Sequence, residues 1–468
     1  RNSPAAMRRR AVGGRLWGGG LAWLLAPGAA AAPRLLQLDR RPRTGGGHRR
    51  LSRADADEAW LYGDLQAAKA YHVDVLVGTP GQVQSLIIDS GSSTTAFPCK
   101  ACGADCGTHL DAPFDPEHSS TFRWVGCGDE RCHMCEGQYC SYGVSYLEGS
   151  SIQGRFFEDV LHLGNETRGN RRGRVWMGCH SKETHLFRNQ RPSGIMGLGE
   201  GARDVIEAFA DGPLEREVFA LCLEDHGGVM TVGDINVTWT PVLEALQWVQ
   251  YTGAYAVSVA SVSLRGSQVQ AALGSFIVDS GTTFTYFTSV QATALREAVR
   301  VACGGGACGG ATLATARCWE AEPGAVDAFP PLEFQLGSSG ELVTYQWAPK
   351  GYLYEAHAGR WCYAFSGDPP LTLGASFLQH HLIVFDRSNK SLGFARAECP
   401  TITSRSDNGD AGLRIDANAS RANLRGMSVG GIEDVLGMHH ESTSPSRAGA
   451  RFPISTLAVF LMFFARIV

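Results

Sequence analysis

Leu86-Ile87-Ile88-Asp89-Ser90-Gly91-Ser92-Ser93 returns 190 residues later as Phe276-Ile277-Val278-Asp279-Ser280-Gly281-Thr282-Thr283. In each copy an apolar run leads into an aspartate, and Ser-Gly-Ser/Thr follows. A short apolar run bounded by a glycine turn reads as a buried strand ending at the carboxylate. A second echo accompanies the first. Gly194-Ile195-Met196-Gly197-Leu198-Gly199 follows Asp89 by about a hundred residues, and Leu371-Thr372-Leu373-Gly374 follows Asp279 at a similar interval. One Asp-Ser-Gly alone reads as an ordinary turn. Two copies, each after a buried strand and each followed by a glycine segment, describe a duplicated lobe.

Working outward, Tyr71-His72-Val73-Asp74-Val75-Leu76-Val77 alternates, and Gly78-Thr79-Pro80-Gly81 turns the chain. Short strand-like runs separated by Gly, Asn or Asp continue to about residue 399. The clearest helical spacing is Val290–Val301, with Ala292, Leu295 and Val299 on one face. The expectation is an all-β fold of two lobes. Residues 59–240 carry Asp89 and residues 241–400 carry Asp279.

Paired carboxylates have a specific chemical use. Two of them a few ångströms apart cannot both ionise, so one holds a proton that the other has lost. The ionised partner takes a proton from water while the protonated one donates to a carbonyl oxygen. That hydrolyses a peptide bond with no cofactor and no metal. Gly91 and Gly281 allow close backbone approach and unusual dihedrals. Ser92 and Thr282 offer hydroxyls to the outer carboxylate oxygens, and Ser90 and Ser280 can bond across the lobe interface and hold the pair coplanar.

The net charge of −4 hides an asymmetry. Residues 1–53 hold 12 Arg, no Lys and one acid, Asp39. The remainder holds 30 bases against 45 acids, a net of −15. Such a body argues against nucleic acid as a partner and for a basic partner or peptide.

The fourteen cysteines admit two readings. Cys99, Cys102, Cys106 and His109, or Cys132, His133, Cys135 and Cys140, could ligate zinc. Disulfides in an oxidising compartment are the alternative. From Met7, three arginines, an apolar run through Leu25 and Ala30-Ala31-Ala32 have the pattern of a signal peptide over 7–32, which favours disulfides. Residues 33–58 read as a short pro-segment or linker. Four glycosylation triplets begin at Asn165, Asn236, Asn389 and Asn418. Residues 401–451 read as a flexible stalk, and 452–468 as a transmembrane anchor or a lipid-anchor signal. The expected location is a secretory-pathway membrane, the endoplasmic reticulum with a lumenal catalytic domain, with the cell surface as alternative.

Taken together, residues 68–399 resemble the pepsin-type aspartic proteases. The resemblance rests on Val77-Gly78-Thr79-Pro80, both Asp-Ser-Gly-Ser/Thr loops, and Phe385-Asp386 with Leu392-Gly393-Phe394-Ala395. Phe97-Pro98-Cys99, the insertion Cys127–Cys140 and Tyr146–Gly154 are similar to the plasmepsin V-like and nepenthesin-like branch. The resemblance implies a bilobal fold, a cleft between the lobes and a β-hairpin flap over it, with Asp89 and Asp279 catalytic. It makes Tyr146 the flap tyrosine and Gly149 part of the flap, with Tyr142 competing because Tyr142-Gly143 also resembles a flap start. In that branch an acidic flap residue helps select a basic side chain upstream of the cut, a role carried over to Glu148. Leu147 departs from plasmepsin V, which has cysteine there.

The resemblance further implies disulfides mostly within the first lobe's clusters, with Cys303, Cys308, Cys318, Cys362 and Cys399 serving the second. A non-catalytic binding or inhibitor protein on the same scaffold is the competing reading. Such relatives typically lose a catalytic Asp or its Gly, and this chain has lost neither.

Overall fold

Val73, Val75 and Val77 occupy alternate positions of the strand Ala70–Val77, and all three are fully buried. Gly78 follows with φ +85°, which its missing Cβ permits, and the chain returns as Gln82–Asp89. The two strands pair antiparallel from His72↔Ile87 to Val77↔Gln82. The alternation read from sequence is thus one edge of the hairpin that delivers Asp89. The computed structural model describes residues 57–402 apart from 147–148, 165–171, 202–203, 211–216, 234–240, 323, 339, 341 and 369.

The glycine segments that echo the aspartate loops are their parallel neighbours. Gly194–Gly197 runs parallel to Gln82–Asp89, with Gly194 opposite Leu86 and Gly197 opposite Asp89. Thr372–Leu373 runs parallel to Ser267–Val278, with Leu373 opposite Val278. Parallel strands are covered on both faces, so they read as continuous apolar runs rather than alternation. Leu86, Ile88, Phe276 and Val278 are fully buried, and Ile87 and Ile277 between them are partly so.

Three sheets hold the described residues. The first, of fifteen strands, contains the Asp89 strand and the long hairpin Tyr139–Ser145 and Ser151–Leu163. The C-terminal strands His381–Asp386 and Ser391–Arg396 join this same sheet beside Val218–Leu223. The second sheet, of seven strands, contains the Asp279 strand, and the third has four. Around the first aspartate strand the core is Phe97, Phe114 and Phe157, with ring centroids 5.4 to 5.9 Å apart. In the second sheet Phe287, Phe334, Trp347 and Phe377 form the equivalent cluster. Each such buried ring contributes roughly 2–3 kcal/mol of burial.

The longest helix among the described residues lies where the spacing predicts. Ser289–Ala302 buries Ala292, Leu295 and Val299, and Thr288 with Gln291 forms a capping box at its start.

All fourteen cysteines are paired. Within the first lobe's clusters the bridges are Cys102–Cys106, Cys127–Cys135 and Cys132–Cys140. Cys99 instead reaches Cys179, tying that cluster to the strand Arg172–Glu183. Cys303–Cys308 and Cys318–Cys362 close within the later region. Cys399 departs from expectation, because it bridges to Cys222 in the first sheet. The reason is the docking of the C-terminal strands beside Val218–Leu223. The zinc readings give way, since every thiolate they need is held in a bridge.

The leader 7–32, the anchor 452–468, most of 33–58, nearly all of 401–451 and Glu148 lie outside the described residues. Among the described residues no helix is long and apolar enough to cross a membrane. Of the four glycosylation triplets only Asn389 is described. It is exposed, and its Nδ2 donates to Asp386 Oδ2 at 2.8 Å.

Candidate active site

Asp89 ends its strand and Asp279 directly follows its own, and in each case the parallel neighbour holds the backbone. Leu198 N donates to Asp89 O at 2.8 Å, and Asp279 N donates to Leu373 O at 3.0 Å. The side chains are held in matching ways. Gly91 N donates to Asp89 Oδ1 and Gly281 N to Asp279 Oδ1, each at 2.9 Å. On the outer oxygens, Ser92 Oγ donates to Asp89 Oδ2, and Thr282 Oγ1 donates to Asp279 Oδ2 at 2.6 Å. The two donors on Asp89 favour the ionised form of its carboxylate.

The two loops are locked to one another by an exchange between serines. Ser90 N donates to Ser280 Oγ at 3.1 Å, and Ser280 N donates to Ser90 Oγ at 2.9 Å. Each hydroxyl then donates onward, Ser90 Oγ to Val278 O and Ser280 Oγ to Ile88 O, both at 2.9 Å. Both serines are buried, so four charge-neutral bonds fix the relative position of the aspartates in a setting without competing water.

The glycines report how close the carboxylates come. A Cβ on Gly91 would lie 2.6 Å from Asp279 Cγ, and one on Gly281 would lie 2.5 Å from Asp89 Oδ1. Each glycine therefore faces the opposite carboxylate. Burial first, and then the Asp279 carboxylate, push the Asp89 carboxyl well above the ordinary carboxylate range. Asp89 is buried while Asp279 is half-buried, so the proton that the pair retains is favoured by the drier side.

Tyr146 stands at the end of the long hairpin. Its N–H bonds Ser150 O at 2.9 Å, and Gly149 N returns to Tyr146 O at 3.0 Å. Gly149 holds φ +92° in that turn. The Tyr146 ring packs on Phe187 of the short helix Leu186–Asn189, with centroids 4.9 Å apart. Beneath them, Ala96, Ile195 and Phe187 belong to one buried cluster, and Ile195 lies opposite Ile87, two residues from Asp89. Tyr142, the competitor, points into this cluster instead: it is fully buried and packs on Phe156 at 4.8 Å. It is a core residue of the hairpin.

His180 and Glu183 were not anticipated, and His109 was read only as a zinc ligand. The three form a buried cluster behind Phe187. Glu183 accepts from His109 Nε2 at 3.0 Å, from His180 Nδ1 at 2.7 Å and from Gly107 N at 2.9 Å. The available signal was a histidine and a glutamate three apart at the end of the strand Arg172–Glu183.

Two family models match, described as Xylanase inhibitor N-terminal over residues 71–234 and Xylanase inhibitor C-terminal over 254–396, together roughly two thirds of the chain. Aspartic protease 5 of Toxoplasma gondii is 31% identical over 437 residues, covering 80% of this chain and 41% of the relative. Plasmepsin V of Plasmodium falciparum is 34% identical over 182 residues, covering 37% of this chain and 31% of the relative. Aspartic proteinase 39 of Arabidopsis thaliana is 26% identical over 368 residues, 70% of this chain and 74% of the relative. The chain thus spans less than half the length of the first two relatives. With both Asp-Ser-Gly loops in matching parallel-strand settings, these likenesses agree on one assignment: the chain belongs to the pepsin-like aspartic protease family.

Proposed function

We propose that the protein is an aspartic endopeptidase in which Asp89 and Asp279 activate a water between them. The observation that carries this reading is the mutual approach of each glycine to the opposite carboxylate. It sets each loop against the opposite acid, with no space at either glycine for a side chain. In the mechanism the pair shares one proton, the established logic of the aspartic-protease dyad. The ionised carboxylate takes a proton from water, and the oxygen attacks the scissile carbonyl. The protonated carboxyl donates to the carbonyl oxygen, giving a neutral tetrahedral diol, and the leaving nitrogen then takes a proton as the C–N bond breaks. Tyr146 closes on the bound peptide as the flap tyrosine. The test is peptide cleavage by Asp89→Asn and Asp279→Asn variants of the full chain. Loss of cleavage in both, with folding retained, is expected. Cleavage surviving in either defeats the dyad.

The finer reading is a selective processing protease of the secretory pathway, tethered through 452–468, with the endoplasmic reticulum as its compartment. Seven disulfides support an oxidising compartment. The preference for Arg or Lys upstream of the cut rests on Glu148. A peptide library offered to the protein tests it, and indifference to basic residues removes that role from Glu148.

A binding or inhibitor protein is the second reading, and the descriptions of the two family models favour it. Against it stands the intact pair of loops, each with its aspartate, glycine and supporting hydroxyl.

A further inference from the structure

We infer that Glu183, gripped by His109 and His180, is a positioning residue that sets the flap tyrosine through Phe187. This rests on the endopeptidase reading of the Asp89–Asp279 pair. The side chains of Glu183 and His180 are 0% exposed and that of His109 is 3% exposed, so a charged cluster stands in a dry interior. Both ring nitrogens of His109 face acceptors, Glu183 Oε2 at 3.0 Å and the Gln190 carbonyl at 3.1 Å. Only the imidazolium donates at both, so His109 carries the charge that balances Glu183. His180 donates from Nδ1 alone and is held neutral by burial.

The cluster joins two segments that also touch through backbone and through the Arg188 side chain. Gly107 presses on the short helix: a Cβ there would lie 2.0 Å from Arg188 O. Leu110 N donates to Arg191 O at 2.8 Å, and Arg188 Nη2 donates to Ala104 O at 3.1 Å. Glu183 draws this loop, through Gly107 and His109, onto the end of the strand that leads into the helix. The same helix presents Phe187 to Tyr146 on one side and to the edge of His180 on the other, at 4.9 and 6.3 Å. Fixing the loop therefore fixes the surface on which the Tyr146 ring rests.

A residue acting this way has a recognisable kinetic signature. Tyr146 packs on substrate before and during the reaction, so a misplaced ring weakens ground state and transition state alike. KM then rises while kcat holds. Glu183→Gln keeps the shape and removes the charge. Steady-state cleavage of a fluorogenic peptide chosen from the wild-type cleavage profile gives the readout, with the full chain as enzyme. The expected result is a KM raised at least fivefold with kcat within about twofold. A double variant with Tyr146→Phe should be little worse than the worse single variant, because both act through one ring. A wild-type KM in folded Glu183→Gln, or effects that multiply in the double variant, overturns the inference. If Glu183→Gln does not fold, His109→Gln carries the same test by the same criteria. Asp279→Asn is assayed alongside. Its continued cleavage defeats the Asp89–Asp279 dyad on which the inference rests, whereas its inactivity beside an unaltered Glu183→Gln defeats only the positioning role.

Discussion

The ring of Tyr142 occupies the space that a Cβ on Gly178 would take, which would lie 2.5 Å from Tyr142 Cζ. The hairpin and the neighbouring strand Arg172–Glu183 are thus interlocked by one aromatic ring and one missing side chain. The Tyr142 hydroxyl is buried with no hydrogen-bond partner among the described residues. An unpaired buried hydroxyl costs about 1–3 kcal/mol. Tyr142→Phe is expected to raise stability by about 1 kcal/mol in urea unfolding and to leave cleavage unchanged. Tyr146→Phe is expected to behave the opposite way, with stability unaltered and kcat/KM lowered about tenfold or more. If the two phenotypes exchange, Tyr142 is the closing tyrosine after all.

Gly91 and Gly281 admit no larger residue without moving a carboxylate. Gly91→Ala must push Asp279 aside, since its Cβ would fall within 2.7 Å of all three carboxylate atoms. A displacement on the order of 1 Å at a reacting group costs about a hundredfold in rate. The expected outcome is a loss of about that size in kcat for either glycine, with folded protein by circular dichroism. An active Gly91→Ala enzyme contradicts the close facing of the pair.

The raised carboxyl of Asp89 makes a prediction about stability as well as rate. Its folded value lies above the ordinary 3.8, because burial and Asp279 disfavour its ionisation. The folded state therefore binds more protons than the unfolded chain, and stability falls as pH rises above about 3.8 toward that raised value. Asp89→Asn removes this penalty. The variant is expected to be more stable than wild type at pH 7, with the gap closing toward pH 3. Thermal unfolding across that range measures it, and a gap independent of pH refutes the coupling.

The parts of this arrangement legible in the sequence are those with a local signature. The duplicated Asp-Ser-Gly loops carry their own strands, and a glycine segment follows each at a similar interval. The helix Ser289–Ala302 announced itself by the spacing of Ala292, Leu295 and Val299. What stayed hidden depends on contacts between distant segments. Cys399 meets Cys222 because the last two strands return to the first sheet, and no spacing encodes that return. Tyr142 and Tyr146 stand four residues apart in one motif, and only the packing against Gly178 marks Tyr142 as a core ring. His109 sits among cysteines and looked like a ligand, whereas its partner Glu183 lies 74 residues away.

That separation gives Glu183 a pH signature of its own. Burial works to raise its carboxyl, but the bonds from His109 and His180 overcome burial and hold it at about 2. The unfolded value is near 4.5. A depressed carboxyl contributes stability in full above the unfolded value and loses it as pH falls through the folded one, so the window runs from about 4.5 down to about 2. His109 is held above its ordinary value by the same pairing and stays protonated across this window. Removing one partner of a buried pair costs about 3–5 kcal/mol, and the Glu183→Gln variant keeps part of the hydrogen bonding, so about 3 kcal/mol is expected at pH 6. Urea midpoints at pH 6, 4, 3 and 2 should show wild type above the variant by a margin that holds near pH 6 and shrinks through the window. A margin that persists unchanged at pH 2 means that the carboxylate charge is not what holds the loop to the helix.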